Sequence, residues 1–209
     1  DFLRTLGGDV QVIRNEENLG FAKACNQGAR AALGEFLVFL NNDTIPLKGW
    51  LSALVEDIRA HADVAVVGSK LLFEDGSIQH AGVAFSRECL MPYHMYRGGR
   101  AEAACANRRR ELQCGTAACM LVRRQALAEV GGFDERYFLF SEEVDWMRRA
   151  ADRGWSVVFT PDAQCVHVGG ASHGGRLFRE KQNAGKKVAE RGAAGRLPEL
   201  AGAGGPAHG

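Results

Sequence analysis

Apolar and polar positions along the chain switch repeatedly between a helical and a strand period. Over residues 18–32, Phe21, Ala24, Cys25, Gly28 and Ala31 recur at helical spacing and Gly34 supplies a stop, which predicts a helix. Phe36–Leu40 is an unbroken apolar run, the pattern of a strand covered on both faces, and it ends abruptly in Asn41, Asn42 and Asp43. Beyond Pro46, Trp50, Leu51, Leu54, Val55 and Ile58 fall on one side of a second predicted helix, followed by an apolar strand over 64–67. Residues 70–85 read as two short strands around Asp75-Gly76, a hairpin signal. Residues 87–112 carry Arg, Ala and Gly with little periodicity and are expected to be a long surface loop.

The pattern resumes with a strand over 114–122 and a short helix over Arg124–Val130, ended by Gly131-Gly132. Ser141 is placed to N-cap a helix reaching Arg153, with Val144, Met147 and Ala151 facing inward. Strands over 155–159 and 165–168 follow, then a basic, polar helix over 176–191. Helix and strand in alternation predict an α/β fold, a mixed, mostly parallel sheet flanked by helices.

Composition changes this picture little. With 209 residues, 46% hydrophobic and 24% charged, the chain can bury one substantial core; the domain is expected over residues 1–192 and a flexible tail over 193–209. A formal charge of +1 gives no general pull on nucleic acid or anionic lipid. The short clusters at Arg108, Arg109, Arg110 and at Arg123, Arg124 read as solvated faces. Cys25, Cys89, Cys105, Cys114, Cys119 and Cys165 form no CxxC pair, so a zinc ribbon or thioredoxin-like site is not suggested. No run of eighteen apolar residues occurs, and the expected location is cytoplasmic, with peripheral attachment at the inner membrane face left open.

Chemistry is expected where loops leave the carboxyl ends of the strands. Asp43 occupies such a place, and its hard oxygens suit Mg2+ or Mn2+ carrying a diphosphate; taken alone, an Asn-Asn-Asp run after a strand is first a turn signal. Glu142, Glu143 and Asp145 cluster at a helix start, where acids favour the dipole or where one of them accepts a proton from a hydroxyl. His167 follows a strand and precedes Gly169-Gly170; it is either structural or completes a metal or phosphate site with Asp43. His80 and His173 offer less. Neither a Walker loop nor a Ser/His/Asp or Cys/His ordering is present.

In order, NLGFAKACNQGARAALGEFLVFLNNDT, DGSIQHAGV, CGTAACMLVRRQALAEVGGFDERYFLFSEEVDWMRRAADRGW and VHVGG resemble the inverting family 2 glycosyltransferases, in particular their bacterial rhamnosyltransferase-like branch. The resemblance runs from about Val10 to about Gly175. It implies a GT-A fold that transfers a sugar from a dTDP-, UDP- or GDP-linked donor to a glycan or lipid-linked acceptor, in surface polysaccharide or glycan synthesis. Asp43 stands where the family's metal aspartate stands, with Asn41 in place of the first aspartate of many relatives. SEEVDW resembles GEDVDL, which puts Glu143 at the general-base position, with Glu142 and Asp145 beside it. His167 resembles the late histidine that joins the metal or diphosphate. Gly115, Thr116 and Ala117 resemble the donor-sugar loop; Asn18, Gly20 and Lys23, with Asn41 and Asn42, resemble donor-flanking residues; Asp134 stands near the acceptor or in a turn.

Family members open with a strand of the type VSVVIPTYN and a second strand ending in an acid, and neither precedes Asn18 here. Residues 1–14 are expected to be the end of the next helix and strand, so roughly the first quarter of the domain is expected to be missing. Two alternatives to an active transferase stay open: a non-catalytic binding remnant and a nucleotidyltransferase on a similar scaffold.

Overall fold

In the computed structural model, which describes residues 2–85 and 92–168, the apolar run Phe36–Leu40 forms strand β1, and the helical pattern before it forms α1 (Phe21–Ala31). Then come β2 (Thr44–Pro46), α2 (Trp50–Ala60), β3 (Val64–Leu72), β4 (Ile78–His80), β5 (Val83–Phe85) and β6 (Pro92–His94). The described chain closes with β7 (Arg110–Leu112), β8 (Cys119–Arg123), α3 (Arg124–Val130), α4 (Glu142–Ala151) and β9 (Ser156–His167). The sheet runs β1-β8-β3-β9-β2, with β4 added to β3 and β7 to β9, while β5 and β6 make a separate ribbon.

Alternation along the central strands divides the core into two layers. Val66 of β3 and Met120 and Val122 of β8 face α1, α3 and α4, together with Ala22, Ala126, Trp146 and Met147. Val67, Cys119 and Leu121 face the other way, onto Leu54 and Ile58 of α2. Every residue of β3 is buried, including Ser69 and Lys70. Each polar group there has a partner, as burial demands: Ser69 Oγ donates to Cys119 O at 2.8 Å, and Lys70 Nζ donates to Asn107 Oδ1 and Ala101 O.

Several expectations are corrected. The sheet is mixed but not mostly parallel: β1, β3 and β9 point the same way, yet β8 lies between β1 and β3 antiparallel to both, leaving β3–β9 as the parallel pair. Residues 87–112 are no single loop, because β6 pairs with β5, a 3-10 turn forms at Ala104–Ala106 and β7 pairs with β9. The expected strand over 114–122 begins only at Cys119, and a second short strand, β2, joins the sheet unforeseen. The two expected C-terminal strands are one. Pro161 falls inside β9, and the ladder shifts register between Ser69 and Lys70, whose partners are Thr160 and Gln164.

Residues 2–14 give a 3-10 helix at Phe2–Thr5 and no strand; Val10, Val12 and Ile13 are 51%, 45% and 44% exposed. Leu51 and Ala151, expected inward, are exposed, whereas Trp146, which helical spacing did not single out, is fully buried. The expected helix over 176–191, the glycines at 169–170, His173, Cys89 and the tail over 193–209 lie outside the described residues.

Candidate active site

Hydrogen bonds link the segments singled out in the sequence near the end of the sheet where β1 and β9 finish and β8 begins. Asn41, just past β1, donates its N–H to Ala118 O at 2.9 Å, which ties the Asn-Asn-Asp turn to the stretch before β8. Gly115 N–H in that stretch points at Met147 Sδ of α4, 3.0 Å away. Phe21 N–H, at the start of α1, donates to Phe138 O at 2.8 Å, just before the acidic helix. Val168 N–H closes the set on Asp43 O at 2.9 Å. These contacts pair segments that are distant in sequence.

Asp43 and His167 meet directly. The pairing of β2 with β9 sets Thr44 opposite His167, and His167 Nε2 lies 3.1 Å from Asp43 Oδ1. Both side chains keep a solvent-facing surface, 22% for Asp43 and 17% for His167. The other ring nitrogen, Nδ1, is 2.5 Å from Gln79 Oε1. Among the described residues, no group of three or more His, Cys, Asp or Glu side chains could hold a metal.

The acidic helix begins under backbone strain. Phe140 and Ser141 both have positive φ, 71° and 70°, a region that residues other than glycine seldom occupy and that clusters at functional sites. Ser141 holds the N-cap position but makes no side-chain cap, a departure from expectation that follows from its left-handed backbone. Oε2 of Glu142 and Oε2 of Glu143 are both buried without a hydrogen-bond partner. Burial pushes the Glu142 carboxyl above the usual glutamate range, and the Glu143 charge adds to this. Burial also raises Glu143, while backbone N–H groups at the helix start oppose the rise. The two acids are close enough to Cys25 of α1 to help hold its thiol up at about 12, behind burial as the larger cause.

Asp145 is differently engaged. It is buried and pairs with Arg149 at 2.9 Å, and Arg149 also donates to Val130 O and Gly132 O, so the pair ties α4 to the end of α3.

The Glycosyl transferase family 2 profile matches residues 1–131. The chain belongs to this family. The O-antigen biosynthesis protein RfbC of Myxococcus xanthus is 33% identical over 152 residues, 70% of this chain and 12% of that protein. An N-acetylglucosaminyl-diphospho-decaprenol L-rhamnosyltransferase of Mycobacterium tuberculosis is 51% identical over 49 residues, 23% of this chain and 16% of that protein. The chain therefore spans only a small part of these relatives. The crystal structure of GalNAc-T7 with UDP, GalNAc and Mn2+ superposes with a TM-score of 0.61 at 18% identity, over 75% of this chain and 31% of that one. The mannosyltransferase PcManGT from Pyrobaculum calidifontis, in complex with GDP-Man and Mn2+, gives 0.58 at 18% identity, over 90% and 48%. The fold of this family 2 domain is thus of the GT-A type.

The remaining expected residues of the family 2 domain divide by environment. Asn18 Oδ1 accepts the Gly20 N–H at 3.0 Å, an Asx turn that launches α1. Gly20 itself has φ 86°, and a Cβ there would stand 2.6 Å from Phe138 O. Lys23 and Asn42 are exposed, Gly115 and Ala117 are buried, and Thr116 is half-buried. Asp134 grips Arg136 through a 2.6 Å ion pair and accepts the Arg136 N–H, so its side chain is spent on its own turn. Gln79 was not expected as a site residue, although it sits in the quoted DGSIQHAGV stretch; its approach to His167 spans 88 positions and no local pattern reports it.

Proposed function

We propose that this domain transfers a sugar, with inversion, from a nucleotide-diphospho-sugar to an acceptor hydroxyl during glycan synthesis. The observation that carries the reading is the Asp43–His167 pair, 3.1 Å apart where β9 ends beside β2, together with the buried, unpartnered Oε2 atoms of Glu142 and Glu143 at the strained start of α4. The donor set fits a divalent cation. Ligands about 2.1 Å from a six-coordinate ion stand about 3 Å apart when adjacent, and the carboxylate oxygen and imidazole nitrogen here are 3.1 Å apart. Such ions commonly take only one or two protein side chains and complete their shell with phosphate and water. Asp43 and His167 are the two that would hold it. When bound, the cation supplies charge to offset the departing nucleoside diphosphate.

The other roles belong to the chain. Glu143 is the proton acceptor for the incoming hydroxyl; its unpaired Oε2 is an acceptor in want of a donor. Glu142, buried beside it, is itself held above the usual glutamate range by burial and by the Glu143 charge. Asp145, paired with Arg149, holds α4 in place. Gly115, Thr116 and Ala117 line the donor-sugar side, and Asn18, Gly20, Lys23, Asn41 and Asn42 the nucleotide side. A single displacement inverts the anomeric carbon and needs no covalent enzyme intermediate.

The structural neighbours solved with UDP or GDP-Man and Mn2+, and the relative named for a diphospho-decaprenol rhamnosyl transfer, support this class of donor, cation and lipid-linked acceptor. The test is titration of the protein, in its natural full-length context, with dTDP-, UDP- and GDP-sugars in Mn2+, in Mg2+ and in chelator. Binding of one donor class that chelator abolishes, with transfer or slow hydrolysis, is the expected result. Binding without turnover would turn the reading into a carbohydrate- or nucleotide-binding module; no binding at all would overturn it.

A further inference from the structure

The DGSIQHAGV stretch plays no part in the chemistry proposed above, yet its central residues are buried and hydrogen-bonded. Ile78 is fully buried; its N–H donates to Gly99 O at 2.8 Å and its carbonyl accepts Gly98 N–H at 2.7 Å. His80, also buried, accepts the Gly82 N–H on Nε2 at 3.2 Å and meets His94 Nδ1 through its own Nδ1 at 2.7 Å. Gly82 has φ 110°, and a Cβ there would stand 2.6 Å from Leu112 Cδ1. Between Ile78 and His80, Gln79 is 8% exposed and is held in place on both sides.

Both ends of the Gln79 amide go to one residue. Its Nε2 donates to the backbone carbonyl of His167 at 2.8 Å, and its Oε1 faces His167 Nδ1 at 2.5 Å. The carbonyl can only accept, so it fixes which way the amide points. Oε1 must then face the ring, and an oxygen that accepts requires the hydrogen to be on Nδ1. In the neutral ring this leaves Nε2 with its lone pair aimed at Asp43 Oδ1, 3.1 Å away. Two acceptors so placed call for positive charge between them.

We infer that Gln79 is a positioning residue: by clamping the His167 ring and its backbone carbonyl together, it holds the imidazole in the Nδ1–H form and presents Nε2, beside Asp43, to a divalent cation. The inference rests on the metal reading given above and adds a residue that this reading does not use. Partners of this kind on the far nitrogen of a metal-bound histidine contribute about 10- to 100-fold in metal affinity.

The experiment measures Mn2+ affinity by electron paramagnetic resonance, in the presence of UDP, GDP or dTDP, for the wild type, Gln79→Leu and Gln79→Glu. Leucine removes both amide contacts; glutamate restores an acceptor for Nδ1–H but gives the His167 carbonyl no donor. Gln79→Leu is expected to weaken Mn2+ binding about 10- to 100-fold and Gln79→Glu to recover most of that loss. A merely structural Gln79 would instead lower the melting temperature of both variants and leave Mn2+ affinity unchanged, or weaken it equally in both; either result overturns the inference. Nitrogen NMR of the His167 ring at alkaline pH gives a readout that needs no metal. A protonated Nδ1 in wild type, lost in Gln79→Leu, is expected, and a protonated Nε2 in wild type would overturn the inference. Absent Mn2+ binding in the wild type with every nucleotide would count against the metal reading, while the NMR result would still decide the role of Gln79.

Discussion

Glu142 and Glu143 sit side by side in sequence, each with one carboxylate oxygen, Oε2, that is buried and unpartnered, a costly arrangement that a proton or an incoming donor relieves. Because burial raises both, protons leave them above pH 4.5, the ordinary glutamate value. The sign then runs in opposite directions for stability and for turnover. A carboxyl whose folded value is raised favours the folded state at low pH and loses that contribution as pH climbs through the raised value. A proton acceptor works only once ionised. The melting temperature should therefore fall over the same interval above pH 4.5 in which donor-saturated transfer rises. A transfer profile already flat at pH 4.5 and above would remove Glu143 from the base position. At this scale the sequence made the acids, Asp43 and His167 legible through their places at element ends. It could not show that Asp134 and Asp145 are already paired with Arg136 and Arg149, because an ion pair depends on side-chain geometry that residue type alone does not set.

Elements were legible where one period dominates. Phe36–Leu40 and Arg124–Val130 have the bounds that their patterns predict, since a continuous apolar run and a glycine stop leave little freedom. They were misread where tertiary pairing overrides local signals: β9 as two strands, and β6 and β7 within an aperiodic stretch. The start of α1 packs against the approach to the acidic helix, because Phe21 N–H and the Gly20 backbone both lie against Phe138. Gly20→Ala puts a side chain at φ 86° and a Cβ 2.6 Å from Phe138 O, and is expected to cost about 1–3 kcal/mol in denaturant unfolding. Gly28→Ala, inside the same helix with nothing within 4 Å of its Cβ, serves as the control and should be neutral or stabilising. Equal effects at the two positions would show that the approach of α1 to Phe138 is not needed.

For the whole molecule, the α/β class and its helix-covered sheet followed from alternating periods, and the order of motifs pointed to family 2, to which the chain belongs. Strand directions did not follow, because β8 inserts between β1 and β3 and no sequence period encodes which strand becomes whose neighbour. That insertion also decides which loops meet. It brings the loop ahead of β8 against both the Asn41–Asp43 turn and Met147 of the acidic helix. The central claim is that the site divides its labour, Asp43 and His167 holding the donor diphosphate through a cation and Glu143 taking the acceptor proton. The most direct measurement is donor affinity and transfer rate in Glu143→Gln, made side by side. Donor affinity should stay within about threefold of wild type while transfer falls by about 100- to 10,000-fold, the span that loss of a positioned base produces. A glutamine variant that transfers at the wild-type rate, or that loses donor binding in step with transfer, would contradict the account.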